Sequence, residues 1–139
     1  MVKVVTDSSC DLPLELIESN RITFVPMNVV IDGKSYKENI DISPQEFWKL
    51  MGEAKTLPKT SQPSPGEFAD IFNSIQSEGD TPLCITISSK LSGTYQSAQV
   101  GAQLSGNKAV VFDSLAGSLS HGIQVIMASR MALQGKGMD

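Results

Sequence analysis

Apolar positions recur at two spacings along this chain, and the alternation between them predicts its elements. Runs of β-branched and apolar residues predict strands at Lys3–Thr6, within Ile22–Ile31, at Leu83–Ile87 and at Ala109–Phe112. The apolar character of Leu83–Ile87 predicts burial on both faces and parallel pairing. Pro26 interrupts Ile22–Ile31, which predicts an edge strand or two pieces. Asp32-Gly33 predicts a hairpin turn that returns through Lys34–Lys37. Helical spacing appears twice behind a capping box. Ser43-Pro44-Gln45-Glu46 precedes Phe47, Leu50, Met51 and Ala54, and Ser64-Pro65-Gly66-Glu67 precedes Phe68, Ile71, Phe72 and Ile75. Asp11 is the expected N-cap of a short helix that ends near Ser19, and Gly79 is expected to end the helix begun at Ser64. Ser92 is the expected N-cap, with Gly93 at N1, of a helix reaching Leu104. A last helix covers roughly Leu119–Leu133, with Ile123, Ile126 and Met127 on its buried side. The segment Lys55–Pro63 reads as a loop. Trp48, Phe68 and Phe72 read first as core and second as the wall of an apolar tunnel.

Strands that alternate with helices imply right-handed βαβ crossovers. The fold class is therefore α/β, a mostly parallel sheet flanked by helices, with a β-hairpin near Asp32-Gly33. In such sheets ligands bind at the carboxyl ends of the strands. The loops there are Asp7-Ser8-Ser9, Ser88–Thr94 and Asp113-Ser114. At 139 residues the chain is one domain's length. Its formal charge of −4, without a basic run, argues against a nucleic-acid partner. No apolar stretch reaches membrane-spanning length. Cys10 and Cys84 stand in no metal spacing and read as reduced thiols.

Ser88-Ser89-Lys90-Leu91-Ser92-Gly93-Thr94 follows a buried strand and opens a helix. It reads equally as an oxyanion site and as a capped helix start. The anion reading uses the hydroxyls of Ser89 or Ser92 and the backbone N–H groups of Ser92, Gly93 and Thr94. It lacks the spacing of a nucleotide P-loop. Asp7 and Asp113 end strands ahead of serines, so they read as Asx-type acceptors before they read as metal ligands or general bases. A hydrolase or phosphotransferase using Asp7, Ser92 or Asp113 is the alternative reading. A triad of Ser92, His121 and Asp113 is expected to be unassembled, because no nucleophile-elbow pattern holds it. His121 is expected at the surface or helix start. Cys10 has no basic neighbour to activate it.

Four stretches, in order, resemble the DegV family: Thr6-Asp7-Ser8-Ser9-Cys10-Asp11-Leu12-Pro13, Thr60-Ser61-Gln62-Pro63-Ser64-Pro65-Gly66-Glu67-Phe68, Ile87 to Ala98, and Asp113-Ser114 followed by Ser118 and Gly122. The resemblance implies a bacterial, cytoplasmic, non-catalytic protein that binds a long-chain fatty acid. It implies that the bound acid is presented to a fatty acid kinase catalytic subunit, which makes acyl phosphate from ATP. It further implies that Thr60 donates to the carboxylate, with Ser61 beside it. Ser92, or second Ser89, donates as well, and Gly93 adds its N–H. No cofactor and no metal are implied, and membrane contact is at most transient. The family has two α/β domains, so residues 1–139 read as the N-terminal one. A basic residue near the carboxylate is then expected from a second domain missing here. Ser120, beside His121, stands where the family leads one to expect glycine.

Overall fold

The computed structural model describes residues 1–138. In chain order the elements are β1 (Val2–Asp7), a 3₁₀ turn (Ser8–Cys10), α1 (Leu14–Ser19), β2 (Thr23–Val25), β3 (Asn28–Ile31), β4 (Lys34–Lys37), α2 (Pro44–Glu53), β5 (Lys59–Ser61), α3 (Pro65–Ser77), β6 (Thr81–Thr86), α4 (Thr94–Leu104), β7 (Val110–Asp113) and α5 (Ser118–Leu133). They build two sheets. One is parallel with order β2-β1-β6-β7, and the other is antiparallel with order β4-β3-β5. The α/β class and the parallel sheet are as the pattern predicts. The run Ile22–Ile31 splits into two pieces, one in each sheet. Pro26 supplies no N–H to continue a ladder, and the chain crosses from sheet to sheet at Pro26-Met27. The hairpin forms at Asp32 (φ 46°) and Gly33 (φ 82°), and both need the left-handed region.

Three apolar clusters hold the layers. Val5, Val25 and Cys84 pack against Phe68, Phe72 and Ile75 of α3 and Ala98 and Ala102 of α4. On the other face Val4, Ile22 and Ile85 pack against Ile17 of α1 and Val125 of α5. Val29 and Ile31 of the small sheet pack with Ile42 and, on α2, Phe47 and Leu50. Both capping boxes are present: Glu46 N–H donates to Ser43 Oγ (3.2 Å) and Glu67 N–H to Ser64 Oγ (3.3 Å).

Five local expectations are corrected. Within Lys55–Pro63, Lys59–Ser61 is a strand, because antiparallel pairing with β3 supplies the hydrogen bonds that its own composition does not advertise. Asp11 is not the N-cap of α1. It takes φ 51° and closes the preceding 3₁₀ turn, and Pro13 stands at the cap. On α5 the buried side is His121, Gly122, Val125, Ser129 and Ala132, whereas Ile123 and Met127 are exposed. Small residues win that face because the helix lies close on its neighbours: a Cβ on Gly122 would stand 2.7 Å from the Cys10 carbonyl oxygen. His121 is therefore fully buried, with Nε2 at 3.0 Å from both Thr6 Oγ1 and the Ile85 carbonyl oxygen. Trp48 is 63% exposed and is no core residue. Leu119, Ile123, Met127 and Met131 make an exposed apolar flank on α5. Val110 and Phe112 of β7 are exposed too, beside Leu83 and Ile85 in register.

Two consequences can be measured. A Cβ on Gly101 would come within 2.6 Å of Phe68 Cβ and 2.9 Å of the Pro65 carbonyl oxygen, where α3 and α4 touch. Gly101→Ala should cost about 1–3 kcal/mol, the usual penalty of overpacking, read from the urea midpoint. Glu38 is half-buried, and burial raises its pKa above 4.5 despite donation from Ser8 (2.6 Å), with the charges of Asp11 and Asp7 adding to the rise. The folded state then binds the Glu38 proton more tightly than the unfolded chain. Stability is lost from this group as pH climbs above 4.5 and through the raised value. Glu38→Gln should therefore be more urea-resistant than the parent at about pH 7, with the advantage gone at about pH 4.

Candidate functional site

Asp7, the last residue of β1, is fully buried, and its carboxylate collects three donors. Oδ2 accepts from Ile87 N (2.8 Å), and Oδ1 accepts from Ser9 N (3.1 Å) and from the Ser9 hydroxyl. Its charge is spent on joining the ends of β1 and β6. Beside it, the Ser8 hydroxyl accepts from Met27 N (2.9 Å) while donating to Glu38.

The segment after β6 is closed by its own hydrogen bonds. Leu91 N and Ser92 N donate to the Ser88 carbonyl (2.9 and 3.1 Å), and Lys90 N donates to Ser88 Oγ (3.1 Å). Ser89 N donates to Asp113 Oδ1 (3.1 Å), which also accepts from Leu115 N (3.0 Å). Burial pushes the Asp113 carboxyl up, but donation from Ser89 and Leu115 and the nearby Lys90 charge outweigh it and hold it below its ordinary value. Asp7 and Asp113 are thus loop braces, as the Asx reading anticipates.

Gly93, not Ser92, is the N-cap of α4, and Ser92 lies one residue earlier. Its Oγ accepts from Thr94 N (3.3 Å) and lies 2.9 Å from Thr94 Oγ1. The expected trio of backbone donors shrinks accordingly. The N–H groups of Ser92 and Thr94 are occupied, and among the described residues no hydrogen bond takes that of Gly93. Thr60, Ser61 and Ser89 are exposed residues.

Thr60 sits on β5 opposite Val29, and Ser61 opposite Asn28. The next residue, Gln62, joins this strand to the helix start: Nε2 donates to Ser97 Oγ (3.1 Å), and its Oε1 stands 2.4 Å from where a Gly93 Cβ would be. Gly93 has an ordinary φ of −75°, and a Cβ there would force the flexible end of the Gln62 side chain to shift. Thr60 precedes this contact by two residues and Ser92 by one, so Gln62 ties the strand that carries Thr60 to the turn that carries Ser92. Met27, whose sulfur accepts from the Thr94 hydroxyl (3.7 Å), escaped the sequence reading, which used Thr94 only for its N–H and gave Gln62 no role. Gln62 lies inside a hydroxyl-rich motif, and only its glycine partner marks it.

A cleft of about 380 Å³ opens on the Val29 face of the small sheet, bordered by Leu12, Ile42, Phe47 and Trp48 and, among polar groups, by Ser8, Asp11 and Glu38; none of Thr60, Ser89, Ser92 and Gly93 lines it. Cross-strand partners share a face, so Thr60 stands on the face of Val29.

The triad of Ser92, His121 and Asp113 is not assembled. Asp113 bonds backbone N–H groups, His121 bonds Thr6 and Ile85, and Ser92 bonds Thr94. Burial pushes the Cys10 thiol up to about 11 and the Cys84 thiol well above its ordinary value. Among the described residues no three metal-ligating side chains come together, and no helix is long and apolar enough to cross a membrane.

The family model described as "Uncharacterised protein, DegV family" matches residues 1–139. A DegV domain-containing protein of Caldanaerobacter subterraneus subsp. tengcongensis is 42% identical over 135 residues, 96% of this chain and 48% of the relative. One of Listeria monocytogenes is 40% identical over 140 residues, 99% and 50% respectively. Among solved structures, a fatty-acid-binding DegV family protein of Thermus thermophilus superposes with a TM-score of 0.89 at 36% identity, over 99% of this chain and 49% of that one. A stearic acid-binding protein of Eubacterium ventriosum gives 0.89 at 33%, over 99% and 50%. The chain spans about half the length of the relatives it matches. With the family model matched over all 139 residues, the chain belongs to the DegV family.

Proposed function

We propose that this chain binds a long-chain fatty acid and holds its carboxylate at the seam between β5 and the start of α4. The observation that carries the reading is the Gln62–Gly93 contact, which brings the Thr60 strand against the Ser92 turn. Thr60 and Ser92 donate their hydroxyl hydrogens to the head group, with Ser61 and Ser89 at the margin, and Gly93 adds its N–H. An acceptor-only carboxylate suits a site made of neutral donors, each charge-assisted bond contributing about 1.5–3 kcal/mol. The cleft gives an acyl chain an apolar wall, and each buried CH₂ adds about 0.8 kcal/mol. Relatives described as fatty-acid-binding at 33–36% identity support the ligand class.

The protein is a carrier and not a catalyst in this reading. It serves in the cytoplasm and presents the bound acid to a separate kinase subunit. A second α/β domain, which the resemblance implies, brings a basic residue to the head group. The exposed flank of α5 and β7 offers it an apolar surface.

Mass spectrometry of lipid extracted from the purified protein should find a C16–C18 fatty acid, a length chosen from the stearic acid relative. A lipid-free protein that also fails to take up oleate overturns the reading. Thr60→Ala and Ser92→Ala should each weaken oleate binding about tenfold or more by calorimetry. Unchanged affinity in both rejects the residue assignment, and a loss confined to Ser89→Ala moves the head group to that serine.

A further inference from the structure

We propose that Thr94 is a positioning residue that makes the Ser92 hydroxyl a donor only, and so selects a carboxylate over neutral head groups. The inference rests on the fatty-acid reading above and concerns a residue that need not touch the ligand. A serine hydroxyl has one hydrogen to give and two lone pairs to fill. Thr94 N–H fills one lone pair of Ser92 Oγ at 3.3 Å, and Thr94 Oγ1 lies 2.9 Å away. Thr94 is fully buried, so its hydroxyl finds partners only within the protein. There are two: Ser92 Oγ and, at 3.7 Å, Met27 Sδ. The O–H of Thr94 points to one of them at a time.

This gives the pair two arrangements. With the Thr94 O–H on the Met27 sulfur, Ser92 gives its own hydrogen to Thr94 Oγ1. With the Thr94 O–H turned to Ser92, both Ser92 lone pairs are filled and its hydrogen is free to point outward. The second arrangement gives its hydrogen to any acceptor, and a carboxylate gains most from it, because a charge-assisted bond is roughly twice as strong as one to a neutral hydroxyl. Chained hydrogen bonds also polarise one another, which strengthens the outward O–H. A sulfur acceptor is weak, so turning Thr94 away from Met27 costs little, and a carboxylate can draw it over. Met27 is held at this place by its own N–H on Ser8 Oγ (2.9 Å).

The test compares binding of oleate and of oleyl alcohol, one charged and one neutral, to the full chain and its variants by calorimetry. Thr94→Val keeps shape and burial but removes the hydroxyl. It should lower the preference for oleate about tenfold, while Thr94→Ser should stay within about twofold of the parent. Met27→Leu removes the competing acceptor, so it should leave oleate binding as tight or tighten it by up to about threefold. Opposite signs at two buried neighbours separate the relay from simple loosening, as do thermal melts that show each variant folded. An unchanged oleate preference in Thr94→Val, or equal weakening of both ligands in Thr94→Val and Met27→Leu, overturns the relay alone. Should Thr94→Val fail to fold, a Thr94→Ser protein with a lost oleate preference overturns it. A parent chain that binds neither ligand overturns the fatty-acid reading and the relay with it.

Discussion

The carboxylate of Asp7 is the constraint on which the upper edge of this molecule hangs. A buried charge is tolerated only where hydrogen bonds replace its lost water. Here the replacements are Ile87 N and the N–H and O–H of Ser9. Those donors belong to the two chain segments that leave the central strands β1 and β6. One carboxylate therefore fixes where the Ser8–Cys10 turn begins and where the Ser88–Ser92 turn begins. Asp113 repeats the device one strand further out, bracing Ser89 against Leu115. Asp7 and Asp113 are both occupied as scaffolding for the turns beside the candidate site.

The seam has two independent supports. The Ser92 side is carried by the parallel sheet and by the closed turn on the Ser88 carbonyl. The Thr60 side is carried by a separate antiparallel sheet whose apolar face rests on α2. Gln62 joins the two, and the Lys37–Glu67 pair (3.0 Å) crosses nearby. That ion pair is partly exposed, so it contributes about 1 kcal/mol at most. The amide of Gln62 lies close over Gly93, where a Cβ would force it to shift, and it donates to Ser97 across the junction.

Much of this was readable from the chain alone, wherever the determinant is local. The two capping boxes, the Asp32-Gly33 turn and the alternation of strands with helices each depend on residues a few positions apart. β5 was unreadable because Lys59-Thr60-Ser61 has no apolar alternation, and its pairing partner lies some thirty residues earlier. The inner face of α5 was misread for a related reason. The helix is apolar on most sides, so size pointed to Ile123 and Met127. What decides the face is how near Gly122 lets the helix come to Cys10 and Leu12. The candidate residues were named by motif, but which of their N–H groups stay free was not legible. That Ser92 N–H is spent and Gly93 N–H is not depends on how a turn closes in space.

Gly101 turns α4 into a lever. Its missing Cβ lets α4 touch α3 backbone to backbone, which makes that point the fulcrum. Gly93 stands eight residues nearer the amino end, a lever arm of about 12 Å at helical rise. A tilt of about 5° at the fulcrum swings the tip by about 1 Å, enough to take a hydrogen bond from good geometry to none. The contact of α4 with α3 thereby bears on where Gly93 and Ser92 stand, and with them on the proposed head-group site.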